Sequence, residues 1–293
     1  MNKQDVIHVL RSNPVVRFFV CPVENLRRKH LQHNFLKSED SAFLKTLRNK
    51  HQGQRCFIIG NGPSLLPSDL DRLTNEVTFA ANRIYHIYPK TKWRPTYYVS
   101  IDTDVLVAEI DRIKKSGPYL KFLNYKAKRY GRTKQDNICY LFYSGRFGIF
   151  DRTRYIGALS EDVSHHSNQF STVTATSIEL AIYMGFTEIY LLGMDSNYAK
   201  KQGKDGKIYV DKSIKSSYFE GMRDADGKLG DGNIAVLNED ALNLSYMRCK
   251  SFAETHGVKI SNATRGGKLE IFERVDFDEL MAPKEQSGGS IEK

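Results

Sequence analysis

The chain contains 293 residues, and 44 Lys and Arg against 34 Asp and Glu give a formal net charge of +10 at pH 7. Its 40% hydrophobic and 27% charged residues are typical of a globular protein, which excludes fibrous, low-complexity and globally disordered classes. The four cysteines form no CxxC pair, so a disulfide scaffold and a zinc module are disfavoured. No stretch approaches the roughly 20 apolar residues that span a bilayer, and no secretion signal is recognisable, so we expect a cytoplasmic protein.

The first 50 residues predict a basic N-terminal extension. Residues 1–55 contain eleven basic and four acidic residues, and therefore seven of the ten net positive charges. Apolar residues at 15, 16 and 18–20 precede Arg27-Arg28-Lys29, a combination that suits the anionic inner face of a cell membrane. A solvated helix that packs its few apolar residues on the main domain fits the same sequence. Nucleic acid is not an expected partner, because no nucleic-acid-binding motif accompanies the charge.

From Arg55 onward, short apolar runs alternate with helical patterns. This alternation predicts an α/β, Rossmann-like fold, in which a mostly parallel sheet carries helices on both faces. The expected nucleotide-binding catalytic domain spans 51–280, with long lid loops at 144–170 and 196–237 and a disordered tail at 281–293. Strands are predicted at 56–59, 77–80, 97–101, 119–123, 138–142, 188–192 and 258–260, and the main helices at 105–115, 172–184 and 240–256.

The first predicted strand runs into Gly60-Asn61-Gly62, which Pro63 and Ser64 follow. Glycines let a backbone approach a phosphate, and Pro63 suits the first turn of a helix whose free N–H groups attract anions. The turn is not a dinucleotide fingerprint, because Leu65 replaces the third glycine and Asn82 stands where an acid would bind ribose. A tight turn without a ligand fits the same residues.

Asp102 and Asp104 follow the third predicted strand. Two carboxylates one residue apart can hold Mg²⁺ or Mn²⁺ that bridges a diphosphate. Asp104 also suits the cap of the following helix, which leaves Asp102 as the stronger binding candidate. No metal is required for a monophosphate leaving group, but a metal is expected if the donor is a diphosphate.

Further polar side chains lie at predicted strand ends and helix starts, where ligands bind in an open α/β sheet. Thr172 and Thr174 open the middle helix and offer hydroxyls to a phosphate or a sugar. Asp195 ends the sixth strand with a carboxylate expected in the same crevice, so it is a candidate catalytic residue, the alternative being a turn residue. Arg265 precedes two glycines after the last strand, where it either faces an anion or belongs to an ordinary turn.

The two long loops contain candidates for proton transfer. His165 and His166 lie in the first loop, and a histidine near neutral pKa is a natural general base for a hydroxyl acceptor. Tyr218 lies in the second loop, where its phenol can donate to a departing phosphate. Exposed loop histidines without a role and a tyrosine that only packs are the alternatives.

Three segments carry a resemblance to known proteins: Ile-Ile-Gly-Asn-Gly-Pro-Ser-Leu at 58–65, Ala-Asn-Arg at 81–83, and the block at 181–195 that ends in Gly-Met-Asp. Together they resemble bacterial sialyltransferases of glycosyltransferase family 42 and the related MptE-like Rossmann domains of surface-polysaccharide and flagellin-glycosylation proteins. The resemblance runs from about residue 55 to residue 276. It implies that the nucleotide part of a donor is held by Gly60, Asn61, Gly62, Ser64, Asn82 and Thr172.

The same resemblance places the general base in a Tyr-x-Gly-His segment. The corresponding residues, 218–222, are Tyr-Phe-Glu-Gly-Met and contain no histidine. Either Glu220, His165 or His166 takes this role, or the transferred group differs from sialic acid. An arginine expected near the start of the middle helix is also absent, and Phe170 stands close to its place.

The sequence therefore predicts a glycosyltransferase at the inner face of the cell membrane. Its expected partners are a nucleotide-sugar donor, similar to CMP-sialic acid, and a cell-surface glycan acceptor, with no required cofactor. One alternative is an MptE-like diphosphokinase that uses ATP and a pterin-type alcohol, since the fold alone does not fix the reaction. The other is a nucleotide-binding module without catalytic activity.

Overall fold

The computed structural model describes residues 14–129, 135–143, 158–168, 170–203, 207–214, 217–222 and 238–282, without the side chains of 14–22, 24, 104 and 201. Most of the predicted first lid loop, at 144–157, and the predicted tail from 283 onward lie outside these ranges.

An eight-stranded, fully parallel sheet forms the centre of the protein, in the order β10-β9-β6-β1-β2-β3-β4-β5. Its inner strands are buried on both sides, as expected for a parallel sheet covered by helices. The strands are β1 Arg55–Ile59, β2 Thr78–Ala81, β3 Tyr97–Ser100, β4 Leu120–Asn124, β5 Ile138–Leu141, β6 Glu188–Leu192, β9 Lys259–Asn262 and β10 Glu273–Arg274.

Helices connect these strands and cover both faces. The α-helices are α1 Pro14–Leu36, α2 Glu39–Thr46, α3 Pro67–Asp71, α4 Thr103–Lys115, α5 Val173–Tyr183, α6 Glu239–Thr255 and α7 Phe277–Leu280, and two 3₁₀ helices span Asn82–Lys90 and Tyr125–Arg129. Side-chain caps fix several helix starts. For example, the Thr172 hydroxyl accepts from the Thr174 amide at α5, and Asn238 accepts from the Ala241 amide at α6.

Two apolar clusters lie on opposite faces of the sheet. Along β1, Cys56 and Ile58 point to the cluster that contains α5 and α6, whereas Phe57 and Ile59 point to the cluster that contains α4 and α7. This alternation follows from the two-residue period of a strand. The predicted Rossmann-like architecture, a parallel sheet with helices on both faces, is therefore confirmed.

The end of α1 and all of α2 belong to the folded core. Phe35, Leu44 and Leu47 are buried, and the Tyr183 hydroxyl on α5 donates to the Leu44 carbonyl at 3.1 Å. The last third of the predicted 1–50 extension is thus an integral part of the fold. Among the described residues, no helix combines the length and the apolar character that crossing a bilayer requires.

The second predicted lid loop contains structure that the sequence pattern did not indicate. β7, Lys200–Gln202, pairs antiparallel with β8, Ile208–Val210, as a small hairpin separate from the main sheet. Each strand has only three residues, and the apolar side chains of β8 are exposed. A strand this short and exposed has no buried face, so it leaves no hydrophobic period in the sequence.

Candidate functional site

The site is defined by a change of direction in the sheet. The chain starts at β1, adds β2 to β5 on one side, and then returns to place β6 on the other side of β1. The connection that leaves β1 and the one that leaves β6 therefore lead to opposite halves of the sheet. In open α/β sheets this switch point is where ligands bind.

The turns after β1 and β6 pack directly against each other. The Gly60 amide donates to the Leu192 carbonyl at 2.7 Å, and the Gly62 amide donates to the Gly193 carbonyl at 2.9 Å. A Cβ at Gly60 would clash with the Gly193 carbonyl, and a Cβ at Gly62 would clash with the Asp195 carboxylate. Both glycines are therefore required for the close approach of two backbones.

Ser64 and Asp195 form a hydrogen-bonded pair across these turns. The Ser64 hydroxyl donates to Asp195 Oδ2 at 2.7 Å, and its amide donates to the same carboxylate at 3.3 Å. Burial raises the pKa of Asp195, although the hydrogen bonds from Ser64 lower it in part. The amide and hydroxyl of Ser64, a residue that the resemblance assigned to the nucleotide part of a donor, thus bind Asp195.

The helix expected directly after this turn begins later than predicted. Residues 60–66 form an irregular turn, and Pro67 rather than Pro63 occupies the first position of α3. α3 has only five residues. At this turn, the backbone amides of residues 60–66, and not the N-terminus of α3, therefore border the site.

Asn61 and Asn82 present carboxamides at the carboxyl ends of β1 and β2. Asn61 Nδ2 donates to the Ala81 carbonyl at 3.1 Å, while its buried Oδ1 has no hydrogen-bond partner among the described residues. Asn82 has a left-handed backbone with φ of 51°, and its Oδ1 accepts from the Ser100 hydroxyl at 3.2 Å. The two side chains are anchored, and one buried acceptor at the turn is left unpaired.

The segment around Tyr218 closes over this turn. The Phe219 amide donates to the Asn61 carbonyl at 2.9 Å, which brings Tyr218 and Glu220 to the carboxyl end of β1. Burial raises the pKa of Tyr218, and the nearby charges of Arg83 and Asp102 act on it in opposite directions. Tyr218 is therefore a protonated hydroxyl at neutral pH, which suits a hydrogen-bond donor.

A charged cluster beside Tyr218 was missed by the sequence reasoning. Glu109 on α4 is 2% exposed and accepts from Arg83 Nε at 2.9 Å and from the Tyr85 hydroxyl at 2.8 Å. Burial alone would raise the pKa of Glu109, but the hydrogen bonds and the charges of Arg83 and Arg112 hold it below its ordinary value. The sequence did contain a signal for this cluster, namely the position of Glu109. This carboxylate lies on the apolar face of α4, together with Leu106 and Ile113.

Asp102 lies beyond the carboxyl end of β3 and caps α4 there. Its Oδ1 accepts weakly from the Val105 amide at 3.5 Å, so Asp102 occupies the capping position that the sequence assigned to Asp104. The side chain of Asp104 lies outside the described residues. Within the described part of the chain, no three His, Cys, Asp or Glu side chains form a group suited to a metal ion. A metal held by Asp102 and Asp104 stays a prediction.

Thr172 and Thr174 border the site from the α5 side. The Thr174 hydroxyl donates to the Met194 sulfur at 3.5 Å, next to Asp195, and Thr172 caps α5.

Arg265, in contrast, is engaged in ion pairs outside the turn. Its guanidinium binds Asp69 at 2.6 Å and Asp278 at 3.1 Å, so its charge is already paired.

The histidines predicted as bases lie in a loop that contacts both the end of β5 and α5. Ser167, next to His166, forms a parallel bridge with Tyr143 just beyond β5, and its hydroxyl donates to Glu179 on α5. Burial lowers the pKa of His166, and the charges of His165 and Arg28 add to this effect, so its imidazole is neutral at pH 7. Glu220 is 94% exposed and pairs with Lys90 at 3.2 Å.

Residues 29–201 match the profile of a family described as "6-hydroxymethylpterin diphosphokinase MptE-like", which is more than half of the chain. The chain belongs to the MptE-like family. This confirms the family resemblance seen in the sequence motifs. Comparison with curated proteins gave no significant match.

Three solved structures are similar to this MptE-like chain. Cst-I, a monofunctional alpha-2,3-sialyltransferase from Campylobacter jejuni, has a TM-score of 0.49 at 16% identity over 77% of this chain and 81% of its own. The sialyltransferase CstII from the same organism, solved with cytidine-5'-monophosphate, has 0.45 at 16% identity over 77% and 86%. The MAf glycosyltransferase from Magnetospirillum magneticum AMB-1 has 0.46 at 14% identity over 84% of this chain, which spans only 38% of that protein.

Proposed function

We propose that this MptE-like protein is a glycosyltransferase that takes a sugar of the sialic-acid type from a nucleotide donor and places it on a hydroxyl of a surface glycan. The observation that supports nucleotide binding best is the buried Oδ1 of Asn61 at the switch point of the sheet, which has no partner in the part of the chain that the structure describes. An unsatisfied buried acceptor costs about 1–3 kcal/mol. A ligand hydroxyl or amino group that donates to this oxygen removes that cost.

The surroundings of Tyr218 support the departure of a phosphate. In a direct displacement, the acceptor oxygen bonds to the anomeric carbon while the bond from that carbon to the phosphate oxygen breaks. Negative charge then grows on the leaving nucleotide. The protonated Tyr218 hydroxyl and the guanidinium of Arg83, which Glu109 holds in place, can stabilise that charge.

His166 is our choice for the base that removes the proton of the acceptor hydroxyl. Its imidazole is neutral at pH 7, and its buried Nδ1 has no partner among the described residues. A general base has to lie within hydrogen-bond reach of the acceptor hydroxyl, so this role requires the anomeric carbon of the donor to lie on the side of the site that faces the loop at 158–168. Asp195 lies against the turn itself, where we assign it, with Ser64, to holding the two turns together.

A diphosphokinase is the second candidate, and the family description supports it. In that reaction a pterin-type alcohol attacks ATP, the diphosphate is transferred, and AMP leaves with the electron pair of the broken bond. Such a protein requires Mg²⁺ and ATP, and Asp102, at the carboxyl end of β3, is the carboxylate that the sequence assigns to the metal. It does not turn over sugar nucleotides.

Thermal-shift measurements with CMP, UDP, GDP and ATP test the proposal first. A nucleotide present at 100 times its Kd stabilises the folded state by about 2.7 kcal/mol and raises Tm accordingly. We expect stabilisation by a cytidine nucleotide without added metal. Stabilisation by ATP only in the presence of Mg²⁺ would favour the diphosphokinase, and no shift with any nucleotide would refute both.

Turnover of CMP-sialic acid separates an enzyme from a binding module. We expect slow hydrolysis of the donor by the wild-type protein and a loss of at least about tenfold in His166→Ala. His165→Ala is the matched control, since that side chain is exposed and lies one residue away. Unchanged turnover in His166→Ala would place the base elsewhere, and nucleotide binding without any hydrolysis would indicate a non-catalytic module.

A further inference from the structure

Two groups of exposed apolar side chains lie on elements that contact the carboxyl edge of the sheet. The first is on α1, where Val23 is 66% and Leu26 is 71% exposed. The second is on β8, where Ile208, Tyr209 and Val210 are each more than half exposed. Exposed apolar residues that cluster in this way mark interaction surfaces rather than ordinary surface composition.

The position of α1 is fixed by aromatic contacts at its C-terminal end. Phe35 stacks on Phe142 with ring centroids 5.6 Å apart and meets Tyr125 edge to face at 5.5 Å. Tyr125 and Phe142 directly follow β4 and β5, so they mark the carboxyl edge of the sheet. Two turns earlier in α1, the charge of Arg28 acts on His166, which lies beyond β5 at the same edge.

The hairpin of β7 and β8 extends from the other half of this edge. It follows Asp195 at the carboxyl end of β6, and the Asp211 amide donates to the Ala199 carbonyl at 2.8 Å, which closes the hairpin at its base. β5 and β6 are five strands apart, or about 24 Å. The two elements that carry the apolar groups thus meet this edge at separate positions, one beyond β5 and one beyond β6.

Basic residues accompany both apolar groups. Arg27 and Lys29 are exposed on α1 beside Leu26, and Lys207 and Lys212 are exposed on either side of β8. Apolar side chains that insert between lipids, flanked by cations that meet anionic headgroups, are the composition of an interfacial membrane contact. A protein partner would instead require one continuous apolar patch with a polar rim.

We propose that the carboxyl edge of the sheet docks on an anionic lipid surface through α1, with the β7–β8 hairpin as a second contact. This arrangement turns the Gly60-Asn61-Gly62 turn and Tyr218 toward the membrane, because both lie at the same edge. An acceptor carried by a lipid would then meet the site without leaving the bilayer surface. The docking surface does not depend on which nucleotide or reaction the site uses.

Co-sedimentation of the full chain with vesicles tests the proposal. The wild-type protein should bind vesicles of phosphatidylcholine with about one third phosphatidylglycerol at least about tenfold more tightly than pure phosphatidylcholine vesicles. The double variant Val23→Glu, Leu26→Glu should lose about tenfold or more, since two apolar insertions are replaced by charges that the headgroups repel. Deletion of residues 1–50 is unsuitable, because it removes the buried Phe35 and Leu44.

Met247→Glu is the matched control, because Met247 is 58% exposed on α6 and lies outside both apolar groups. We expect it to bind vesicles like the wild type, and circular dichroism should show unchanged melting of all variants. Equal binding of the wild type to both vesicle types, or unchanged binding of the double variant, would overturn the proposal. So would a concentration-dependent dimer in gel filtration that the double variant abolishes, because α1 would then be covered by a second copy.

Discussion

At the scale of single residues, a substitution of Asn61 tests ligand binding separately from folding. Its Nδ2 forms one hydrogen bond to the Ala81 carbonyl, whereas its buried Oδ1 is unpaired among the described residues. Asn61→Ala therefore removes one hydrogen bond, worth about 1 kcal/mol of folding free energy, together with the unpaired acceptor. We expect stability close to that of the wild type and at least about tenfold weaker nucleotide binding, measured by calorimetry.

Asn137→Ala is the control for this prediction. Asn137 Nδ2 donates to the carbonyls of Gly117 and Tyr119 before β4, at the opposite edge of the sheet from the turn. The variant should lose comparable folding free energy but bind nucleotide normally. If the two variants bind equally well, Asn61 does not contact the ligand.

At the scale of elements, the buried carboxyl of Glu179 connects α5 to the loop at 158–168. It accepts from the Ser160 amide at 2.6 Å and from the Ser167 hydroxyl. Burial raises the pKa of Glu179 to about 8, although these hydrogen bonds lower it in part. In the unfolded chain the group titrates near its ordinary value of 4.5. Between these values the folded state binds more protons, so stability falls as the pH rises.

Melting of the wild type and of Glu179→Gln between pH 5 and pH 9 tests this coupling. The wild type should lose stability on the order of a few kcal/mol toward pH 9, and the neutral amide should remove most of that loss. Glu254→Gln, at an exposed position on α6, should leave the wild-type slope unchanged. Parallel curves for the wild type and Glu179→Gln would mean that Glu179 does not titrate in this range.

At the scale of the whole molecule, three buried thiols report on cooperative unfolding. Cys56 on β1, Cys139 on β5 and Cys249 on α6 belong to one apolar cluster, and burial raises the pKa of each. Because only a thiolate reacts, iodoacetamide should not label them in the native state. In a Cys21→Ser background, mass spectrometry should find all three labelled together at the rate of global unfolding. Faster labelling of Cys249 alone would mean that α6 opens separately.

Local apolar runs were sufficient to predict most of the sheet. All seven predicted strands occur within two residues of their expected bounds, because a buried parallel strand is a short continuous apolar run. β7, β8 and β10 were missed, since they have two or three residues and mostly exposed side chains. The start of α3 was misassigned to Pro63, because the irregular turn is held by Asp195 rather than by local signals.

The sequence by itself determined the Rossmann-like fold, its strands and the Gly60-Asn61-Gly62 turn, since each depends on residues close together in the chain. Only the tertiary structure decided which polar groups meet there. Ser64 and Asp195 are 131 residues apart, and Glu109 pairs with Arg83 from a separate helix. Such contacts depend on the order of the strands, which hydrophobic periodicity does not encode. Other long-range contacts hold the loop of His165 and His166 against β5 and α5 and bring Tyr218 to the turn.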